Sequence, residues 1–352
     1  MRNFAEIYLY NIEENFLRAK KGRPAVAVVK ADAYGHGAVE VARTLQNDAL
    51  AFAVSNIDEA EELCSLGLRL PVVILGDGCA LEFDRAIDCG AVVSVGSIEN
   101  ARLLDAEANR KQMFAFAVLC VDTGMNRDGF RCDDIGGITE AMSLKNTAVV
   151  GIYSHPSQTD DEEFTFCQKK KFENLKASLP RSDGIIFSFG NSANICSDHV
   201  PRIGVSLYGL SPVGDDDSSL LHAMSFKAAV LSTRRVAKGE YIGYGKTYRA
   251  PRDMDVATVA AGYADGVPRA LSNIGSVILG GKRCRIVGSV CMDATMVDIT
   301  NVDVNVGDYA AFIGGDGKET ITCEEVARLA GTINYEIVCG ISKRVPRIYK
   351  EK

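Results

Sequence analysis

The sequence lacks the residue patterns that are typical of metal sites, disulfide frameworks and nucleic-acid surfaces. Only four histidines occur among the 352 residues, and the eleven cysteines include no Cys-x-x-Cys pair. We therefore expect neither a metal site nor a disulfide framework. The net charge is −7, and the charges are interspersed without a basic block, which argues against nucleic acid as a partner. The expected partner is a small molecule.

Long apolar runs are also missing. No apolar stretch approaches the roughly 18 residues that are needed to span a membrane, and the segment "MRNFAEIYLY" has no apolar signal core. We therefore expect a cytoplasmic protein without a membrane partner. Apolar residues make up 47% of the chain, which is enough to bury a large core, and the length predicts about two domains.

Short β-rich apolar runs recur along the first two thirds of the chain. Segments with helical character separate most of them, for example 56–67, with Asn56 as the predicted N-cap, and 159–179, with Thr159 as the predicted N-cap. This alternation indicates a parallel sheet covered on both faces, and eight units favour a (β/α)₈ barrel over an open sheet. The predicted strands are 25–30, 51–55, 71–75, 91–95, 114–122, 148–154, 184–190 and 202–210.

The alternation stops at an acidic segment rich in turn-forming residues, 211–219. Beyond it, strand-like runs follow one another, and only 323–331 is clearly helical. We therefore predict an α/β protein with an N-terminal (β/α)₈ TIM-like barrel domain at 1–220 and a mostly β domain at 221–352. The strands predicted for the second domain are 226–236, 255–263, 276–281, 283–290, 294–300 and 308–314.

Lys30 closes the first predicted barrel strand, in "AVVKADAYGHG" at 27–37. Side chains at the carboxyl ends of barrel strands line the active-site mouth. A lysine that is desolvated there has a pKa below its usual value of about 10.4 and can attack an aldehyde. The alternative is a lysine at a strand end that extends into solvent, and position alone does not decide between the two.

The same segment resembles the cofactor-lysine motif of alanine racemases, which are pyridoxal-phosphate enzymes built from a barrel and a β domain. Further segments resemble this family in the same order, and together they reach from near the N-terminus almost to the last residue. The resemblance implies interconversion of L- and D-alanine, which supplies D-alanine for peptidoglycan. These segments are "VDTGMNRDGF" (121–130), "GYGKTYRA" (243–250), "GYADGVPRAL" (262–271), "VGSVCMDATMVDIT" (287–300) and "GTINYEIVCGISKRVPRIY" (331–349).

The resemblance assigns the two bases that racemisation needs. Lys30 would hold pyridoxal phosphate and act on one face of the substrate α-carbon. A single group that returns the proton from its own side tends to regenerate the starting enantiomer, so a second base must serve the opposite face. Tyr244 matches that base, and a phenol with an unperturbed pKa of about 10 needs nearby positive charge or hydrogen bonding to act at neutral pH. Because the partner subunit contributes this tyrosine in the family, a head-to-tail homodimer with shared active sites is implied.

Cofactor binding is implied in the same way. Arg202 would face the pyridine nitrogen and hold it unprotonated, because arginine keeps its own proton. The cofactor ring would then be a weaker electron sink, which limits side reactions such as transamination. His155 would lie near the ring and contact Arg202, although a lone histidine is more often structural. The remaining residues would bind the phosphate: Tyr34, Asn191, Ser192, Lys343 and the backbone amides of Gly204 and Val205.

Substrate binding would use three residues. Arg127 suits the carboxylate that all amino acids share, because a guanidinium binds it in a two-point fork. The backbone of Met292 would assist, and Tyr263 would stand at the substrate entrance. The "GYADG" segment at 262–266 could instead be no more than a turn between strands.

Three positions depart from the family pattern. Many members have a lysine, often carbamylated, where this chain has Cys120, so Arg127 would be held by another acceptor, such as chloride or Asp128. Lys343 replaces a tyrosine whose hydroxyl reaches the phosphate and narrows the pocket. A serine or broad-specificity amino-acid racemase is therefore an alternative to an alanine racemase. A pyridoxal-phosphate-binding protein without turnover is a third reading, which the second domain argues against. The usual proline after Arg202 is Ile203, a smaller change.

Overall fold

The computed structural model describes residues 1–180, 182–193, 199–213, 217, 219–315 and 318–351. The helices of these residues are α1 (Leu9–Lys20), α2 (Lys30–Gly35), α3 (Ala38–Leu45), α4 (Ile57–Cys64), α5 (Phe83–Cys89), α6 (Ile98–Lys111), α7 (Ile135–Ala141), α8 (Glu162–Ser178), α9 (Cys323–Ala330) and α10 (Asn334–Cys339).

The strands are β1 (Asn3–Tyr8), β2 (Val26–Val28), β3 (Ala51–Val54), β4 (Val72–Ile74), β5 (Val92–Val95), β6 (Ala115–Asp122), β7 (Phe130–Arg131), β8 (Thr147–Tyr153), β9 (Ile186–Ser188), β10 (Arg202–Ile203), β11 (Met224–Val236), β12 (Tyr241–Ile242), β13 (Tyr248–Arg249), β14 (Met254–Val259), β15 (Ser276–Leu279), β16 (Lys282–Arg285), β17 (Thr295–Asp298), β18 (Tyr309–Gly315), β19 (Thr320–Ile321) and β20 (Arg347–Lys350).

Parallel strands form a nearly closed eight-stranded barrel in the order β10-β2-β3-β4-β5-β6-β8-β9, with β7 beside β6. Hydrogen bonds of 3.0 Å from the Val200 and Arg202 amides to the carbonyls of Phe187 and Gly190 bring its first and last strands together. All four residues of β3 and all four of β5 are buried, as expected for strands covered on both faces. The predicted barrel and its eight strands are confirmed, but β10 is only two residues long because the chain turns into a 3₁₀ helix at Val205–Tyr208.

A helix begins after the residue whose side chain caps the unpaired backbone amides of its first turn. Asn56 caps α4 as predicted, because its side chain accepts a hydrogen bond of 3.0 Å from the Glu59 amide. The prediction of Thr159 as a cap is wrong. Asp161 has the extended backbone of a capping residue, and its carboxylate accepts from the Phe164 amide at 2.9 Å, so α8 begins at Glu162.

The second large sheet is mostly antiparallel and centres on the long strand β11, which pairs with β1, β14 and β18. β1 lies between β11 and β20, antiparallel to the first and parallel to the second. The predicted division at residue 220 assigns β1 to the barrel domain, although this strand pairs with β11 and β20 of the second sheet. The strands predicted after 221 and helix α9 are found at the expected places. α10 was not predicted, because it has six residues and no side-chain cap.

The chain divides into two compact units. One comprises Met1–Ile12, Tyr34–Gly37 and Tyr208–Lys352, and the other comprises Glu13–Ala33 and Ala38–Leu207. We call these the sheet unit and the barrel unit. Among the described residues, no helix combines the length and the apolar character that crossing a membrane requires.

Candidate active site

Lys30 begins a turn of unusual handedness, and only Val29 separates it from β2. The φ angles of the next four residues, Ala31 to Tyr34, lie between 52° and 54°. None of them is glycine, and the left-handed conformation costs about 1–2 kcal/mol for each such residue. Strained backbone of this kind persists only where its surroundings hold it, and it is common at functional sites.

Glu59 is one of the groups that hold this turn. Its Oε1 accepts a hydrogen bond of 2.7 Å from the Ala31 amide, and its Oε2 accepts from the amide and hydroxyl of Ser55 at 2.9 and 3.0 Å. The carboxylate therefore ties the end of β2, where Lys30 lies, to the end of β3. The sequence analysis did not identify Glu59 as a supporting residue. The available signal was the Asn56-x-x-Glu59 spacing, which resembles a capping box.

Arg202 is the main buried cation of the barrel unit, with 7% of its surface exposed. Its Nη1 donates to the carbonyl and hydroxyl of Ser188 at 3.0 and 2.6 Å, and its Nη2 donates to the Ser154 carbonyl at 2.7 Å. These groups belong to the carboxyl ends of β8 and β9. No carboxylate within the described ranges forms an ion pair with Arg202, so its side chain is held by neutral acceptors, and burial lowers its pKa.

Tyr153 supports this arginine and was missed by the sequence analysis. Its ring centroid lies 4.9 Å from the Arg202 guanidinium carbon, within the range of a cation–π contact. Its hydroxyl lies 2.7 Å from Ser94 Oγ and accepts from the Gly76 amide at 3.0 Å. The available signal was its place near the carboxyl end of the predicted strand 148–154, two residues before His155.

His155 is neutral in this setting. Burial lowers the pKa of His155 to about 3, and the positive charges of Arg202, Arg127 and Lys30 act in the same direction. Its Nδ1 lies 3.2 Å from Arg202 Nη2. Because arginine can only donate, Nδ1 must accept this hydrogen bond, and the single ring proton is on Nε2.

Cys120 cannot supply the negative charge that a carbamylated lysine would provide beside Arg127. Burial raises the pKa of Cys120 to about 12, so the side chain is a neutral thiol at physiological pH. Its Sγ lies 3.7 Å from Asp128 Oδ1, and the same carboxylate oxygen lies 3.6 Å from Arg127 Nε. The anion beside Arg127 is therefore the carboxylate of Asp128.

A small polar cluster lies where β10 ends. Ser192 Oγ accepts from the amides of Gly204 and Ser206 at 2.9 and 3.5 Å, and the 3₁₀ helix that begins at Val205 follows directly. Asn191 accepts from the Ala193 amide at 3.0 Å through its side chain. Hydroxyl and amide groups of this kind at the start of a helical turn can bind an anion such as a phosphate.

The remaining candidate residues lie in the sheet unit. Tyr34 is buried and packs against Tyr208, with ring centroids 4.9 Å apart, and burial raises its pKa. Lys343 is exposed. Tyr244, Tyr263 and Met292 also have large exposed fractions, and Tyr244 reaches 75%.

The loops that carry Tyr263 and Met292 are joined by their backbones. The Tyr263 amide donates to the Cys291 carbonyl, and the Ala264 amide donates to the Met292 carbonyl, both at 3.0 Å. A Cβ added to Gly262 would clash with the Cys291 carbonyl oxygen, so the close approach of the two loops requires glycine. The "GYADG" segment is thus a turn, and the same turn presents Tyr263 to solvent.

Asp265 is buried beneath this turn, with 2% of the residue exposed, and its hydrogen bonds hold the turn in place. Its carboxylate accepts from the Gly262 amide, Asn3 Nδ2 and Arg344 Nε at 2.8, 2.9 and 2.8 Å. Desolvation raises its pKa, but the hydrogen bonds from Arg344, Gly262 and Asn3 and the charge of Arg344 outweigh it. The pKa of Asp265 therefore lies below its ordinary value.

Two family models match the chain. The model described as "Alanine racemase, N-terminal domain" matches residues 7–212, and "Alanine racemase, C-terminal domain" matches residues 223–349. The fold and the polar groups at the strand ends thus define a (β/α)₈-barrel enzyme with an added β domain. The chain belongs to the alanine racemase family.

Individual relatives agree with this assignment over almost the whole chain. The alanine racemase of Desulforamulus reducens is 39% identical over 367 residues, covering 98% of each chain. The structure of alanine racemase from Clostridium difficile 630 has a TM-score of 0.92 and 32% identity, covering 100% of this chain and 96% of that one. The structure of alanine racemase from Bartonella henselae, described as having covalently bound pyridoxal phosphate, has a TM-score of 0.89 and 28% identity, covering 99% of this chain and 100% of that one.

We predict that Asp265→Asn lowers the free energy of unfolding at pH 7 by about 2 kcal/mol, because charge-assisted hydrogen bonds in a buried site are lost. A carboxylate with a depressed folded pKa stabilises the protein above its unfolded value of 3.8 and loses this effect as the pH falls through the folded pKa. The gap between variant and wild type should therefore narrow below about pH 4. Urea unfolding of the variant and the wild type, at pH 7 and at a pH below about 4, measures this gap in the free energy of unfolding.

Asp293→Asn is the matched control, because Asp293 accepts from the same arginine at 2.7 Å but its side chain is 52% exposed. We expect it to cost less than about 1 kcal/mol. Equal losses for the two variants would contradict the role of Asp265 in the turn.

Proposed function

We propose that this chain binds pyridoxal phosphate through Lys30 and interconverts L- and D-alanine in the cytoplasm, supplying D-alanine for peptidoglycan. The observation that carries the proposal is the buried Arg202, held by neutral acceptors beside a neutral His155 at the strand ends near Lys30. A cationic donor of this kind suits an unprotonated ring nitrogen, since two positive charges could not share the site. When bound, the cofactor supplies an aldehyde for covalent attachment and an electron-withdrawing ring that acidifies the substrate α-proton.

The cofactor phosphate would be bound by hydroxyl and amide groups, with one cation. Ser192 and the Gly204 amide already lie together and support this part of the proposal. Lys343 adds a positive charge in place of the hydroxyl that the family pattern leads one to expect. The full proposed set is Tyr34, Asn191, Ser192, Lys343 and the amides of Gly204 and Val205.

Substrate binding would fall to Arg127, the backbone of Met292 and Tyr263. The Arg127 side chain is 56% exposed, and among the described residues it forms an ion pair with one oxygen of Asp128, 3.6 Å from its Nε. Its guanidinium therefore has donors left for a substrate carboxylate.

Two groups would move the α-proton. Lys30 Nζ would take it from one face of the substrate, and the Tyr244 hydroxyl would give one to the other face. We propose that residues 221–352 act as the domain that supplies Tyr244 to a partner subunit in a head-to-tail homodimer. The large exposure of Tyr244 in the single chain supports this, because a catalytic tyrosine is otherwise expected to be sheltered from bulk water.

The first test is α-proton exchange in deuterated water with chiral analysis, using the purified protein, pyridoxal phosphate and a panel of L-amino acids. Inversion chiefly of alanine supports the proposal. Comparable inversion of serine or larger amino acids indicates the broad-specificity alternative that Lys343 allows, and no exchange indicates a cofactor-binding protein without turnover. Borohydride reduction followed by peptide mapping should place the cofactor on Lys30, and its absence there would contradict the proposal.

We predict that Tyr244→Phe lowers the racemisation rate by about 10²- to 10⁴-fold, the usual contribution of a general acid or base. Borohydride should still trap the cofactor on Lys30. Tyr241→Phe is the control, since Tyr241 is also an exposed tyrosine of this region, and it should keep the wild-type rate. Equal rates for Tyr244→Phe and the wild type would remove Tyr244 from the proposed mechanism.

Lys343→Tyr should raise the ratio of kcat/KM for alanine to that for serine, if the residue at this position narrows the space for the substrate side chain. A pocket of methyl size rejects an added hydroxyl only modestly, so we expect a change of about tenfold or less. Lys238→Tyr changes another exposed lysine and serves as the control. An unchanged ratio would count against this interpretation of Lys343.

A further inference from the structure

His155 lies in a connection that is neither helix nor strand. β8 ends at Tyr153, and α8 begins at Glu162. Its imidazole ring nevertheless has a defined place, because Nδ1 accepts a hydrogen bond from Arg202. Contacts other than those of regular secondary structure must therefore hold the backbone of His155.

Gln168 makes such contacts from α8, with 1% of its surface exposed. Its Nε2 donates to the His155 carbonyl oxygen at 3.3 Å and to Thr123 Oγ1 at 3.2 Å. Its Oε1 accepts from the amide and the hydroxyl of Ser157 at 3.1 and 3.3 Å. A side-chain amide has two N–H donors and two acceptor lone pairs, so the hydrogen-bonding capacity of Gln168 is fully used.

Two backbone groups fix the orientation of the Gln168 amide. A carbonyl oxygen can only accept and a backbone N–H can only donate, so Nε2 must face His155 and Oε1 must face Ser157. The opposite orientation would place two oxygens together at His155 and two N–H groups together at Ser157. One side chain, in one orientation, therefore holds the residues on both sides of Pro156.

The same amide joins this connection to the carboxyl end of β6. Thr123 Oγ1 accepts from Gln168 and lies 2.8 Å from Ser154 Oγ, and both residues are buried. The Ser154 carbonyl in turn accepts from Arg202 Nη2 at 2.7 Å. The buried network around Gln168 therefore reaches Arg202 by two routes, through His155 and through Ser154.

We propose that Gln168 is a positioning residue for His155 and, through it, for Arg202. Gln168 fixes the His155 backbone so that ring Nδ1 meets Arg202 Nη2 at 3.2 Å. This role rests on the proposed function only for the use that His155 and Arg202 are put to. The placement of the ring depends on neither pyridoxal phosphate nor racemisation.

The test is the titration of the His155 ring, followed by NMR of protein labelled with ¹⁵N-histidine. The full-length protein is measured with pyridoxal phosphate and again without it, and His155→Gln identifies the signal among the four histidines. In the wild type the ring should be neutral at pH 5 and above, with its proton on Nε2, because the pKa of His155 is about 3.

Gln168→Met keeps a side chain of similar length and removes all four hydrogen bonds. The His155 ring should then move away from Arg202 and become more exposed, and both changes favour the protonated form. We expect the midpoint of the titration to rise by at least about one pH unit, toward the ordinary value of about 6.5. A general loss of stability would not move the titration of the folded protein, so the midpoint separates positioning from stability.

Gln158→Met is the matched control, because Gln158 lies in the same connection but is exposed, and its side chain donates to Asp160 at 2.6 Å. It should leave the midpoint unchanged. Ser157→Ala is a milder variant of an exposed side chain; it removes one of the four bonds and should raise the midpoint by less. A wild-type midpoint in both Gln168→Met and Ser157→Ala, or an equal shift in Gln158→Met, would overturn the proposed role.

A second measurement examines the link to Arg202. Equilibrium dialysis with pyridoxal phosphate should give a dissociation constant about three- to tenfold higher for Gln168→Met than for the wild type, as expected for the loss of one hydrogen bond. An unchanged dissociation constant would contradict the effect on Arg202. A wild type that racemises no amino acid would contradict the proposed function, whereas an unchanged His155 titration in an active enzyme would contradict only the role of Gln168.

Discussion

The hydrogen bond between the Ala31 amide and the Glu59 carboxylate stabilises the strained turn on which the position of Lys30 depends. Four consecutive left-handed residues without a glycine are unfavourable on their own, by several kcal/mol in total. The Glu59 carboxylate at one end and the Asp32 side chain, which accepts from the Ala38 amide at 2.8 Å, offset part of this cost. The lysine is therefore placed by contacts between two strand ends, and β2 alone does not determine its position.

Neutral partners are the second organising feature of the barrel unit. Arg202 donates hydrogen bonds to carbonyl and hydroxyl oxygens and to His155. The positive charge of Arg202 helps to lower the pKa of His155 and so keeps that histidine neutral. Where the family pattern has a carbamylated lysine, this chain has the neutral thiol of Cys120, and the nearby carboxylate of Asp128 contacts Arg127. Positive charge is therefore concentrated at the strand ends, as binding of an anionic cofactor and a carboxylate substrate requires under the proposed function.

The features that could be predicted from the sequence are those set by residues close together along the chain. Apolar runs and their spacing identified the barrel strands, and Asn56 was recognised as a cap because its partner amide is three residues away. Long-range features left no such signal. The pairing of β1 with β11 and β20, the contact between Glu59 and Ala31, and the left-handed turn of non-glycine residues all depend on distant parts of the chain. Most candidate site residues came from the family resemblance, which does not reveal supporting residues such as Tyr153 and Ser94.

The place of β1 also has a consequence for the order in which the protein can fold during synthesis. Ala5 pairs with Phe226 on one side and with Arg347 on the other. Residues 13–207 can leave the ribosome and close their barrel while β1 still lacks both neighbouring strands. Joining such distant segments carries a large loop-closure entropy and slows folding. The nascent chain must therefore keep an unpaired strand from aggregating until β11 and β20 have been made.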